Sequence, residues 1–187
     1  WDVLREQIFA RQKALGWIPE DTKLTPRPDT LASWDSIPDS ERPFQERLME
    51  VFAGFTEHAD FEAGRVIAEL DKMGLRDNTL VFYVFGDNGA SAEGQAGSIS
   101  ELLAQNGIPN TVEQHMAAMN KLGGIKELGG PKMDNMYHAG WAWAGSTPFK
   151  ATKLVAAYFG GTRNPLVVSW PAKITPDKRP RAQFHHV

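Results

Sequence analysis

Cysteine is missing from all 187 positions of the chain. That excludes a disulfide framework, a thiolate zinc site and a cysteine nucleophile within these residues, while leaving the redox compartment open. There is also no run of about 18 apolar residues, the signature of a membrane-spanning helix. Positive charge is not in excess: 20 Lys and Arg stand against 23 Asp and Glu, for a net charge of −3 and a pI near 6.0. This balance gives no electrostatic case for nucleic acid or an anionic membrane as partner. No internal repeat is found. The first residue is Trp1, without a methionine or signal sequence before it, as expected of a processed product or an excised piece.

What remains is enough for one to one-and-a-half domains by the usual length prior. An apolar fraction of 42% is enough to build a core. Residues 2–15 read as a helix with Leu4, Ile8, Ala10 and Leu15 on a loose apolar face and Gly16 as its stop. Four prolines between 17 and 40 break periodicity and mark a connector, with Trp34 and Ile37 pinning it to the core. The clearest helix follows: Leu48, Phe52, Phe55, Ala59, Ala63, Ile67 and Leu70 recur every three or four residues. Asp39 or Ser40 is expected to cap its start, and Gly74-Leu75 suits a Schellman end.

A short turn then leads into an apolar strand, Leu80 to Phe85. Helix, turn and fully apolar strand in that order predict half of a unit in a parallel sheet. Residues 99–127 read as two helical pieces broken at Gly107 and Pro109, and 129–165 as mostly irregular. Leu166 to Trp170 reads as a second buried strand closed by Pro171. The spacing predicts an α/β sandwich.

Ligands of open parallel α/β sheets bind beyond the carboxyl ends of the strands. At the end of the first strand stand Asp87 and Asn88, with Gly86 and Gly89 flanking them to allow a tight turn. A carboxylate beside a carboxamide offers two hard oxygen donors, which suits Ca²⁺ or Mg²⁺ better than zinc. Asp-Asn-Gly is equally a common plain turn, and spacing alone does not decide between the two.

The longer text does more. "LRDNTLVFYVFGDNGAS", "HADFEAGRVIAEL" ahead of it, "GWAWAGSTPFKATKLVAAYFGGTRNPLVVSWPAKI" downstream and "RAQFHHV" at the end together resemble the sulfatase family. The likeness covers most of residues 45–187, with 1–44 a less distinctive helix and connector; the whole chain, 1–187, is expected to be a partial catalytic domain. The resemblance implies a three-layer α/β sandwich with a mostly parallel central sheet, alkaline-phosphatase-like. It implies hydrolysis of sulfate esters, aryl sulfates among them, with a small-molecule substrate. It carries a divalent-cation role, Ca²⁺ with Mg²⁺ as the alternative, onto Asp87 and Asn88, and a sulfate contact onto Lys153, with Lys150 as local competitor. Family members are often periplasmic or secreted.

Two departures stand out. Many relatives have a histidine before the Gly-Gly turn, where this chain has Tyr158. The formylglycine nucleophile of the family is made within a C/S-x-P-x-R motif, which this chain lacks, so the isolated chain is expected to be inactive and the nucleophile to lie elsewhere in a longer protein. Weaker candidates are His138, Asp60, Arg163 and the pair Trp141 and Trp143 as an aryl-binding wall, each with a structural role as the default. His185 and His186, adjacent on an extended segment, point to opposite faces and cannot easily share an ion. A phosphonate monoester hydrolase or phosphodiesterase of the same superfamily stays open as an alternative, although two-zinc members typically read Asp-His where this chain has Asp87-Asn88. So does a non-catalytic binding or structural domain.

Overall fold

A computed structural model describes residues 1–177 and 179. Its elements run α1 (Asp2–Ala14), α2 (Arg42–Lys72), β1 (Val81–Val84), α3 (Ser100–Gln105), α4 (Val112–Lys121), α5 (Ala139–Gly145), α6 (Phe159–Thr162) and β2 (Leu166–Ser169). Short 3-10 turns sit at 34–36, 76–78 and 125–127. His185 and His186 lie outside the described residues.

The long helix matches its periodicity, but its start differs from the expected cap. Glu41 occupies the N-cap with no side-chain bond to the helix, and Pro43 sits in the first turn, where a missing N–H costs nothing. Asp39 pairs instead with Arg42 at 2.9 Å. The far end closes as expected. Gly74 takes φ +68°, and its N–H donates to the Asp71 carbonyl while Leu75 N–H donates to Leu70, both at 3.0 Å; these are the two bonds of a Schellman motif.

The apolar face of α2 is fully covered only at its beginning. Phe44, Gln45 and Leu48 are buried, while Phe52 is 39% and Phe55 69% exposed and Ile67 and Leu70 farther on are half-buried. Phe44 and Leu48 join Met119 of α4, Leu128, Tyr137 and Ala142 of α5 in one cluster. A second cluster gathers Trp1, Ile37, Trp143 and Ala144, with Trp34 packed against it, so the connector is pinned as its aromatic content predicts. Trp141 packs against both clusters.

Helix α5 therefore joins the two cores, and it lies in the segment read as irregular. Its seven residues, AGWAWAG, make barely two turns between glycines, too short to display a helical period. Two contacts fix it. The His138 Nδ1 accepts the Gly140 N–H at 2.9 Å as an N-cap. At the other end Arg5, buried completely in α1, donates to the Trp143 carbonyl at 2.5 Å and to Thr147 Oγ1 at 3.3 Å. Its second nitrogen reaches Thr25 Oγ1 at 2.7 Å and the Phe149 carbonyl at 3.0 Å. A guanidinium placed against carbonyls in the last turn of a helix is favoured by both hydrogen bonding and the helix dipole. Burial nonetheless lowers its pKa to about 10.

The two strands form at the expected places and pair with each other, but antiparallel: Val81 faces Ser169 and Val84 faces Leu166. No parallel pair occurs among the described residues. Continuous apolar sequence marks a strand meant to be covered on both faces; it does not fix direction. These two strands pair antiparallel, and the expected parallel central sheet is not shown among the described residues. Here Phe82 and Val167 remain 61% and 56% exposed. No described helix is long and apolar enough to cross a membrane.

Uneven coverage of α2 makes a contrast measurable. Leu48→Ala, emptying a site 1% exposed, should cost about 2–5 kcal/mol in denaturant unfolding. Phe55→Ala, farther along the same stripe, should stay within about 0.5 kcal/mol.

Candidate functional site

The polar loop after β1 is built by close backbone contact. The Gly89 N–H donates to the Gly161 carbonyl at 2.8 Å, and a Cβ on Gly89 would overlap the Gly160 carbonyl. Glycine is thus required at 89 for approach, whereas Gly86, at φ +85°, serves the turn itself. One residue on, the Ala90 carbonyl accepts the Lys153 N–H at 3.0 Å. The Gly160 N–H in turn bonds the Lys150 carbonyl at 3.1 Å. Loops 87–93, 150–153 and 158–161 interlock as one unit.

Asp87 and Asn88 project from this unit at the carboxyl end of β1. They touch: Asn88 Nδ2 donates to Asp87 Oδ1 at 2.6 Å. Asp87 is exposed and Asn88 half-buried. The Lys153 ammonium bonds Glu93 Oε2 at 2.7 Å, both side chains about 30% exposed. Ser91 Oγ donates to the same Glu93 oxygen at 2.6 Å and accepts the Glu93 N–H at 3.3 Å. Hydrogen bonding to Glu93 raises the lysine pKa above its ordinary value, and the charges of Glu93, Asp87 and Glu101 push the same way. Lys153 and Ser91 in turn hold the Glu93 carboxyl below its ordinary value.

Lys150 points elsewhere, lying 4.5 Å from the Tyr158 ring centre with its ammonium 3.4 Å from that hydroxyl. Glu93 and Ser91 were not singled out in the sequence. Their signal is a contact with a lysine 60 residues away, and nothing local announces it.

The weaker candidates are occupied structurally. His138 caps α5 and stacks on Trp1 at 4.3 Å. Trp143 receives the Arg5 guanidinium on its ring at 4.3 Å, and the Trp141 Nε1 donates to the Gln45 carbonyl at 3.1 Å. The two tryptophans are helical, not extended, so they do not form one wall. Asp60 accepts the Tyr83 hydroxyl at 3.1 Å, and Arg163 lies over Phe149 and Phe159 at 5.1 and 5.7 Å.

Two adjacent oxygen donors fit a hard cation, yet such an ion takes about six. Among the described residues no group of three or more His, Asp or Glu could hold a metal. Asp87 and Asn88 can thus form only part of a cation site.

The described residues define a partial domain of mixed helices and a small antiparallel ribbon, with its polar loops gathered at one ribbon end. A family model described as Sulfatase matches residues 19–187. An uncharacterized sulfatase of Schizosaccharomyces pombe is 34% identical over 179 residues, covering 94% of this chain and 30% of that protein. An arylsulfatase of Klebsiella aerogenes is 32% identical over 90 residues, covering 48% of this chain and 19% of its own length. The chain belongs to the sulfatase family, and it spans less than a third of the length of these curated relatives.

Two tests address this geometry. Gly89→Ala should force the loops apart at an overpacking cost of about 1–3 kcal/mol, read as a lowered midpoint in denaturant. Burial lowers the His138 pKa from 6.5 to about 4, so between those values the unfolded chain binds the proton that the folded one refuses. The stability involved is fully present above pH 6.5 and is lost as pH falls through the folded value, about 3 kcal/mol in all. His138→Asn keeps an N-cap acceptor without titrating, and should flatten the pH 4–7 stability profile by that amount.

Proposed function

We propose that this chain carries one side of a sulfate-ester hydrolase site within a longer protein. Asp87 and Asn88 would hold a divalent cation, Ca²⁺ or alternatively Mg²⁺, and Lys153 would contact the sulfate. The single observation that carries the reading is the interlock of the 87–93 and 150–161 loops, which ties Lys153 to the segment that directly follows Asp87 and Asn88.

Charge supports the cation. The lysine bonds Glu93 and is acted on by the charges of Asp87 and Glu101, so the cluster as it stands is net negative and would repel a sulfate. A divalent ion held by Asp87 and Asn88 would cancel that excess and would supply the neutralisation of sulfuryl oxygens that ester cleavage needs. Lys153, kept protonated by its carboxylate neighbours, binds and orients the anion. The remaining ligands and the formylglycine nucleophile would come from other parts of the longer protein. Its architecture would be the three-layer α/β sandwich of the alkaline phosphatase superfamily. The exposed apolar residues of α2, β1 and β2 fit such an arrangement, because faces of that size are normally covered.

The test uses the whole protein that contains this chain, assayed in parallel on an aryl sulfate and an aryl phosphonate monoester. The sulfate should turn over faster, and Lys153→Ala or Asp87→Ala should each lower kcat/KM by about 10²–10³. Preference for the phosphonate would establish the phosphonate hydrolase alternative. Absence of turnover on either ester would favour a non-catalytic domain.

A further inference from the structure

We propose that Glu93, locked in place by Ser91, is the positioning residue for Lys153, aiming its ammonium at the anion that the site receives. This rests on the reading of Lys153 as the sulfate-contacting cation and adds residues that reading does not contain.

The arrangement is a chain of three fixed contacts. Ser91 closes a local turn by accepting the Glu93 N–H at 3.3 Å, and its hydroxyl donates to Glu93 Oε2 at 2.6 Å, which holds the carboxylate in one orientation. That oxygen takes a proton donor from Lys153 at 2.7 Å. The lysine backbone is bound to the same loop, through Ala90, at 3.0 Å. Lys153 is thus held at both ends of its flexible stem by the segment that directly follows Asp87 and Asn88.

Burial sets this pair apart from surface pairs of the chain. Lys72 and Glu69 lie three residues apart on a helix face and are 71% and 60% exposed, whereas Lys153 and Glu93 are 30% and 29% exposed. An exposed pair mostly wastes its attraction on ordering two long side chains; a half-buried one anchored by a hydroxyl starts with one partner already fixed. An ammonium has three donors. Glu93 occupies one, which fixes the direction of the stem and leaves two for a substrate oxygen. The charged groups that act on Lys153 are Glu93, Asp87 and Glu101. Of these, Glu93 alone makes a hydrogen bond to the ammonium, and its removal should be felt most.

Glu93→Gln in the whole protein separates this role from a merely structural one. Trace acylation of lysines by an activated ester, read residue by residue by mass spectrometry, reports the free-amine fraction of Lys153 without reference to activity. The wild-type residue should label more slowly than exposed Lys72. In Glu93→Gln its rate should rise, because the lysine loses the hydrogen-bonded carboxylate that holds its pKa up. In the same variant kcat/KM for an aryl sulfate should fall about tenfold, with the alkaline limb of its pH profile moved to lower pH. Ser91→Ala should move both readouts in the same direction by less, and decides the matter if Glu93→Gln does not fold. Equal labelling of Lys153 in wild type and variants overturns the proposal, as does altered labelling with unchanged kcat/KM and pH profile. Full turnover by Lys153→Ala would instead remove the underlying reading of the lysine, and is told apart because it leaves the labelling difference intact.

Discussion

Gly89 and Gly161 meet through one hydrogen bond of 2.8 Å, and the contact exists only because Gly89 has no side chain. Everything polar at the end of the β ribbon is referred to it. On one side the chain has just delivered Asp87 and Asn88 from β1. On the other it turns through Gly160 and Gly161 after passing Lys153. A backbone contact between residues 72 positions apart is a stiffer reference than any side-chain bridge, since it fixes both chains where their dihedrals are set. Lys153 adds its own backbone bond to Ala90, so the lysine and the oxygen donors share one frame.

That frame rests on a platform that has little to do with chemistry. Arg5 reaches from α1 to the end of α5 and on to Thr147, Pro148 and Phe149, immediately ahead of the segment carrying Lys150 and Lys153. Helix α5 contributes to both core clusters, and His138 holds its first turn. Cationic and aromatic groups that could pass for substrate-binding elements in the sequence are here consumed in holding the lysine loop in place. The division is physical: the groups without water pack and cap, and the groups with partial access carry charge toward solvent.

Much of this was legible in the sequence wherever a period was long enough to count. Helix α2 announced itself over about six turns, from Leu48 to Leu70, and ended at Gly74 as its glycine required. Both strands showed as apolar runs between turn residues. Their antiparallel pairing was not legible, because an apolar run records burial and not direction. Helices α5 and α6 were missed because four to seven residues rich in glycine show no period. The placement of paired oxygen donors at the end of β1 was legible locally, and Lys153 was singled out through family resemblance alone. Glu93 was not, since its meaning comes from a fold contact with the distant lysine.

The claim that most needs measurement is that the oxygen donors and the lysine serve one anion. A crystal structure of the whole protein grown with Ca²⁺ and sulfate tests it directly. The account requires the cation to be bound by side-chain oxygens of Asp87 and Asn88, with the sulfate touching both that cation and the Lys153 ammonium. A sulfate held at a place that Lys153 does not reach, or a cation bound without Asp87 and Asn88, would contradict it.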